Sequence, residues 1–144
     1  MFKNILVVCT GNICRSPIAE RLLRQHFPQK NIDSAGLGAL IDHPADEAAI
    51  LVAQENFLSL DGHKGKQFNS EIARKYDLIL VMDKSHLEQI SKTVPEARGK
   101  TMLLGHWLGD KEIPDPYRKS LEAFKAVYKL IDQACETWIS KIKD

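Results

Sequence analysis

The sequence has no apolar stretch long enough to cross a membrane. Its most concentrated apolar runs, Ile5–Cys9 and Leu78–Met82, fall far short of the ~20 residues a spanning helix needs, so no membrane insertion is expected. It has almost no net charge, formally +1. No bulk field therefore marks nucleic acid or a membrane surface as a partner, and any anion site must be local. Its three cysteines are an odd number, which argues against a secreted disulfide scaffold. Cys9 and Cys14 lack the two-residue gap of a zinc ribbon, and the five histidines stand singly. Neither a metal nor a cofactor is expected. There is no internal repeat, low-complexity tract or linker. The opening M-F-K-N-I-L-V-V is too short for a signal-peptide core before it meets polar Thr10, Gly11 and Asn12, which makes the cytoplasm the expected location.

What remains is an ordinary globular composition, 144 residues with 44% hydrophobic and 27% charged, suited to one domain over 1–144 with a single core. Lys3–Cys9 and Asp77–Met82 are near-continuous Ile, Leu and Val, the mark of strands buried on both faces. Shorter strands are expected at Asn31–Ala35, stopped by Gly36 and Gly38, and at Thr101–Leu104. Between them lie helical patterns. Pro17–Phe27 has Ser16 as a cap, Pro17 in its first turn, and Ile18, Leu22 and Leu23 on one face. Pro44–Phe57 carries Asp46 and Glu47 in its first turn, where the helix dipole favours them. A short helix is expected around Ser70–Lys75, and another from the caps Asp83 and Ser85 to Thr93, ended by Pro95.

After a Gly- and Pro-rich loop, Gly105–Pro116, a long final helix shows the stripe Leu121, Phe124, Tyr128, Ile131, Cys135, Trp138 and Ile142. Alternate spacings of three and four put these on one face, to be packed on the sheet, with Cys135 as a small buried hydrophobe. Alternating strands and helices with strands this apolar imply a parallel sheet covered on both faces, whose ligands bind beyond the carboxyl ends of the strands. Cys9 ends the first strand, so the segment that follows lies where such a fold keeps its site.

That segment reads C-T-G-N-I-C-R-S-P from Cys9 to Pro17. A loop of this kind, with Gly11 for a tight turn and a helix N-terminus behind it, converges backbone N–H groups on an anion. Arg15 adds a planar, permanently charged fork for two phosphate oxygens. The same donors favour the thiolate of Cys9, and a thiolate beneath a phosphate can attack phosphorus in line while Arg15 and the amides stabilise the equatorial oxygens. Ester cleavage also needs a proton for the departing oxygen. In I-P-D-P-Y, Asp115 is held between two prolines. It is either that acid or a cap for the final helix.

Two motifs about a hundred residues apart, V-C-T-G-N-I-C-R-S-P and D-P-Y at Asp115, together with S-A-G at Ser34–Gly36, G-H-K at Gly62–Lys64 and D-L-I-L-V-M-D at Asp77–Asp83, resemble the low-molecular-weight protein tyrosine phosphatases. The resemblance covers essentially the whole chain. Classical tyrosine phosphatases place a histidine before the nucleophile, where this chain has Val8. The resemblance implies a four-stranded parallel sheet in the order 2-1-3-4, with the phosphate-binding loop after the first strand. It also implies residue roles. Cys9 would form a phosphocysteine, Arg15 would bind phosphate, and Asp115 would protonate the leaving tyrosine oxygen and then activate water. Thr10, Gly11, Asn12, Ile13, Cys14 and Ser16 would form the loop, Asn12 holding its strained shape and Ser16 donating to the thiolate. Ser34 and His63 would buttress Asn12, although composition alone reads His63 as a surface-loop residue. Cys14 would trap oxidised Cys9 as a reversible disulfide. Leu37, Leu40, Tyr117 and Arg118 would line the substrate slot.

Aliphatic Leu37 and Leu40, and Arg118 where many members have a second aromatic, are similar to a bacterial subgroup tied to capsule and exopolysaccharide export. The implied partner is a phosphotyrosine protein, the tyrosine-rich tail of a membrane tyrosine autokinase. Two rivals remain. A thioredoxin-coupled arsenate reductase shares the loop but needs two relay cysteines after the third strand, and Val81–Thr93 contains none. The other is non-catalytic: a phosphotyrosine-binding module would have no need of Asp115, and a phosphotransferase-type carrier of this architecture usually lacks the arginine.

Overall fold

The computed structural model describes residues 2–142. Its strands are β1 (Asn4–Cys9), β2 (Asn31–Gly36), β3 (Leu78–Val81) and β4 (Thr101–Leu103), and its α-helices are α1 (Arg15–His26), α2 (Glu47–Glu55), α3 (Ser70–Ala73), α4 (Lys84–Thr93) and α5 (Leu121–Lys141). The strands form one parallel sheet in the order β2-β1-β3-β4, as the family resemblance implies. Two 3₁₀ turns that the sequence reading did not resolve, Pro95–Lys100 and His106–Leu108, flank β4. No helix among the described residues is long and apolar enough to cross a membrane.

The side-chain alternation of β1 explains its unbroken hydrophobicity. Ile5, Val7 and Cys9 point into a core shared with α1, α2 and α5. Leu6 and Val8 point into a second core with Tyr76, Ile79, Val81 and Ile90 on the other face. The strand thus carries Cys9 to the rim of the sheet with its sulfur on the α1 side.

Several helix boundaries differ from the sequence pattern. α2 begins after Asp46, whose carboxylate accepts the Ala48 N–H at 2.9 Å, rather than at Pro44. Past its end, Phe57 takes a left-handed φ of 60° and is 93% exposed. In α5, Phe124, Tyr128, Ile131, Cys135, Trp138 and Ile142 are buried, but Leu121 lies at the half-open start of the helix. This face meets α1 and α2 before it meets the sheet, and Trp138 Nε1 donates to the Leu104 carbonyl at 2.7 Å beyond β4. Among the described residues no buried side-chain nitrogen or oxygen lacks a hydrogen bond.

Candidate active site

Between Cys9 and α1 the chain forms a loop whose carbonyls are all engaged on its outer side. The carbonyl of Cys9 accepts from Leu37 N at 3.0 Å, Thr10 from Gly38 N at 2.9 Å, Gly11 from Leu40 N at 3.0 Å and Ile13 from Asp46 N at 2.9 Å. The Asn12 carbonyl accepts from His63 Nε2. In a trans peptide the next N–H points opposite to the carbonyl, so these bonds turn the amides from Thr10 to Cys14 inward. One of them is seen doing so, because the Asn12 N–H lies 3.2 Å from Cys9 Sγ. The β2 end presses close behind the loop. A Cβ on Gly36 would lie 2.5 Å from the Thr10 oxygen and 3.0 Å from the Asn12 nitrogen, so only glycine fits there.

Asn12 is fully buried and holds a left-handed φ of 60°, a conformation that asparagine tolerates better than most residues. Its Oδ1 accepts the Lys66 N–H at 2.9 Å, which fixes the amide orientation. Nδ2 therefore donates to both Ser16 Oγ at 2.8 Å and Ser34 Oγ at 2.9 Å. Ser34 in turn donates its hydroxyl hydrogen bond to Glu20 Oε1 at 2.7 Å. Ser16, accepting from Asn12, lies 2.9 Å from Cys9 Sγ, where it donates to the sulfur when that is a thiolate. This corrects one reading of the sequence: Ser16 does not cap α1. Helix α1 starts at Arg15 with Cys14 in the cap position and no side-chain cap bond, because the Ser16 hydroxyl is committed to the sulfur.

Arg15 is only 2% exposed. Its Nη1 donates to the Ile113 carbonyl at 2.8 Å and pairs with Asp83 Oδ2 at 3.4 Å, and its Nη2 reaches Thr10 Oγ1 at 3.3 Å and Asp115 Oδ2 at 3.7 Å. Burial raises the Asp83 carboxyl, but hydrogen bonds from Ser85 and the His86 amide, with the charge of Arg15, leave it below the usual carboxylate range. It stays ionised as the counter-charge for Arg15. Asp115 does not cap α5, whose start is capped by Ser120 accepting from Ala123 N at 3.2 Å. Asp115 Oδ1 instead accepts the Tyr117 N–H at 3.1 Å, which leaves Oδ2 over the loop.

Cys9, Thr10, Gly11, Ile13, Cys14, Arg15, Gly38, Leu40, Asp115 and Tyr117 line one cavity of about 170 Å³. A larger, open depression of about 880 Å³ between α4 and the first 3₁₀ turn, with Ser85, Glu88, Lys92 and Arg98, holds no comparable constellation. Burial, with the nearby charges of Asp46 and Asp115 acting in the same direction, pushes the Cys14 thiol far up, so Cys14 stays protonated. Both are free thiols. His63 is buried rather than a surface-loop residue. Burial lowers it against the pull of the Asn12 carbonyl, so it is neutral and donates from Nε2.

Two slot expectations change. Leu37 packs into the second core beside Ala35, and Gly38 takes its place in the wall. Arg118 does not line the cavity. Held at a φ of 62°, it lays its guanidinium 5.2 Å from the centre of the Tyr117 ring. The sequence reading also passed over Glu20, Asp83 as an arginine partner, and His86, whose Nε2 lies 3.0 Å from Thr10 Oγ1.

The family described as "Low molecular weight phosphotyrosine protein phosphatase" matches residues 4–144. The chain belongs to this family. It is 62% identical over 143 residues to a putative low molecular weight protein-tyrosine-phosphatase of Klebsiella pneumoniae, covering 99% of both chains. It is 56% identical over 138 residues to the low molecular weight protein-tyrosine-phosphatase Wzb of Escherichia coli K12, covering 96% of this chain and 94% of that one. The crystal structure of Wzb from Escherichia coli K30 in complex with sulphate is 65% identical, with a TM-score of 0.98, over 99% of this chain and 100% of the other. The cavity above Cys9 is thus set in a protein-tyrosine-phosphatase, a hydrolase of phosphate esters.

Proposed function

We propose that this phosphatase hydrolyses phosphotyrosine through a phosphocysteine, with Cys9, Arg15 and Asp115 in the roles the family resemblance implies. The observation that carries the reading is the placement of Cys9 Sγ, which receives the Asn12 N–H at 3.2 Å and the Ser16 hydroxyl at 2.9 Å below Arg15, with Asp115 3.7 Å from that guanidinium. The thiolate attacks phosphorus as the bond to the tyrosine oxygen breaks, and Asp115 gives its proton to that oxygen. In the second step the Asp115 carboxylate takes a proton from water. The hydroxide attacks phosphorus, the S–P bond breaks, and the thiolate and inorganic phosphate are released. Arg15 and the inward amides hold the equatorial oxygens throughout, and Thr10, Gly11, Ile13 and Cys14 form the wall around them. The sulphate reported with the Escherichia coli K30 relative is a tetrahedral dianion of the size this seat would hold.

The substrate is proposed to be the tyrosine-rich tail of a membrane tyrosine autokinase in capsule or exopolysaccharide production, met at the cytoplasmic face. Leu40 and Tyr117 at the cavity mouth offer apolar walls to a phosphotyrosine ring. The test is hydrolysis of an aryl phosphate with EDTA present. Turnover should persist in the wild type, vanish in Cys9→Ser and drop sharply in Asp115→Asn. Loss of turnover with EDTA overturns the metal-free route, and mass spectrometry of proteins trapped by Asp115→Ala in a lysate tests the partner.

A further inference from the structure

Thr10 reaches the cavity with a side chain whose hydrogen bonding is two-thirds determined. Its Oγ1 receives Arg15 Nη2 at 3.3 Å, from a guanidinium that can only donate. His86 Nε2 lies 3.0 Å from the same oxygen, and the direction of that bond follows from the other side of the ring. The Met82 backbone N–H points at His86 Nδ1 at 3.3 Å. A backbone N–H cannot accept, so Nδ1 carries the lone pair and Nε2 the proton. Burial lowers the imidazole against the charges of Asp83, Asp115 and Glu112, with Arg15 acting in the same direction as burial, which preserves this neutral tautomer near neutral pH.

A hydroxyl has one proton and two lone pairs. Both lone pairs of Thr10 are occupied, and no acceptor among the described residues faces its proton. Thr10 is exposed and lines the cavity with Cys9, Arg15 and Asp115, so its proton, which no protein group takes, is available to an anion that displaces solvent there. The geometry points to Thr10 as a substrate-binding donor that gives its hydroxyl proton to a phosphoryl oxygen, and to His86 as a positioning residue that acts through Thr10. The inference rests on the reading of the cavity as a phosphate seat. The backbone amides of the loop are donors whatever the side chains are. Thr10 adds one more charge-assisted bond, aimed by a histidine on a helix outside the loop. A methyl group at Oγ1 would leave the His86 and Arg15 N–H groups facing a carbon.

The experiment is calorimetric titration of inorganic phosphate into the wild type, Thr10→Ser, Thr10→Val, His86→Phe and the Thr10→Val/His86→Phe pair, with melting curves and aryl phosphate kinetics on each. Thr10→Val should weaken phosphate about tenfold, the size of one hydrogen bond to a charged acceptor, and lower kcat/KM with it, while Thr10→Ser keeps most of both. His86→Phe should weaken phosphate in the Thr10 background and have no further effect in Thr10→Val. Should His86→Phe not fold, His86→Asn, too short to reach Oγ1, replaces it in the same cycle. Wild-type affinity in Thr10→Val overturns the proposal, and an undiminished His86 effect in the Thr10→Val background makes that residue merely structural. A wild type that does not bind phosphate overturns the phosphate seat itself, a failure distinct from the other two.

Discussion

The Ser16 hydroxyl lies 2.9 Å from Cys9 Sγ and accepts from the Asn12 amide at 2.8 Å; toward an ionised sulfur, which can only accept, it is the donor. Cys9 is therefore met by a partner already held in place by Asn12. Such a bond favours the thiolate over the thiol. Ser16→Ala should cut kcat/KM by about ten- to a hundredfold, as expected for a hydrogen bond to a charged group of ~1.5–3 kcal/mol. Alkylation of Cys9 by iodoacetate at mildly acid pH should slow in parallel. Unchanged alkylation would show that Ser16 serves the loop and not the sulfur.

Asn12 joins the loop to three other segments through Lys66 N, Ser16 and Ser34 at a φ of 60°. Asn12→Ala removes these bonds, strands buried partners, and puts a Cβ residue without a local hydrogen bond into left-handed backbone. A loss of about 2–4 kcal/mol is expected from the unpaired groups and the strain together. Asn12→Gly, which relieves the backbone but not the amide, should lose less. Urea denaturation of both variants orders them, and an equal loss in both would remove backbone strain from the account.

These networks mark the boundary of what the sequence made legible. Strands β1 and β3 were readable because burial on both faces leaves an unbroken apolar run, and the order of motifs placed Cys9, Arg15 and Asp115 around one loop. The two-residue period of β2 could have placed Leu37 correctly, since Leu37 shares the Ala35 face, but the glycines between strand and slot obscured it. The helix pattern offered Ser16 as a cap and the family resemblance offered it as a partner of Cys9, because serine suits caps and thiolates equally; the 2.9 Å contact with the sulfur and the absence of a cap bond favour the second. Glu20 is one turn after Ser16 on α1, where a carboxylate reads as solvent-facing. Its partner Ser34 is on β2, fourteen positions along the chain. His86 and Thr10 are separated by 76 positions, and no local pattern joins them.

Acid should weaken the fold as the pH falls below the ordinary imidazole value. His63 and His86 are both held below the ordinary imidazole value of ~6.5, mainly by burial. The unfolded chain therefore binds protons that the folded chain refuses as pH drops past that value. Their stabilising contribution is complete above pH ~6.5 and is lost as pH falls below it toward the folded values. Melting temperatures should be lower at pH 5.5 than at 7.5, and His63→Asn should flatten the difference. Asp77 and Asp83, both lowered, act in a separate window beneath the carboxylate range. A fold more stable at pH 5.5 would contradict the buried neutral histidines.

Gly36 separates activity from stability. It ends β2 opposite Cys9 in the sheet register, where a Cβ would meet the Thr10 oxygen at 2.5 Å and the Asn12 nitrogen at 3.0 Å. Both atoms are backbone and belong to the loop, so the clash cannot be relieved by turning a side chain. The strand is held by its pairing with β1, whereas the loop bends on single hydrogen bonds such as Gly38 N to Thr10 O at 2.9 Å. In Gly36→Ala the loop should therefore give way first and tilt its amides off the anion. Aryl phosphate turnover should fall by about a hundredfold or more, the scale on which misplacement of about 1 Å costs an enzyme. The cooperative urea transition should remain. Retained turnover would mean that β2 moves instead, and a loss of cooperative folding would mean that this contact supports the whole sheet.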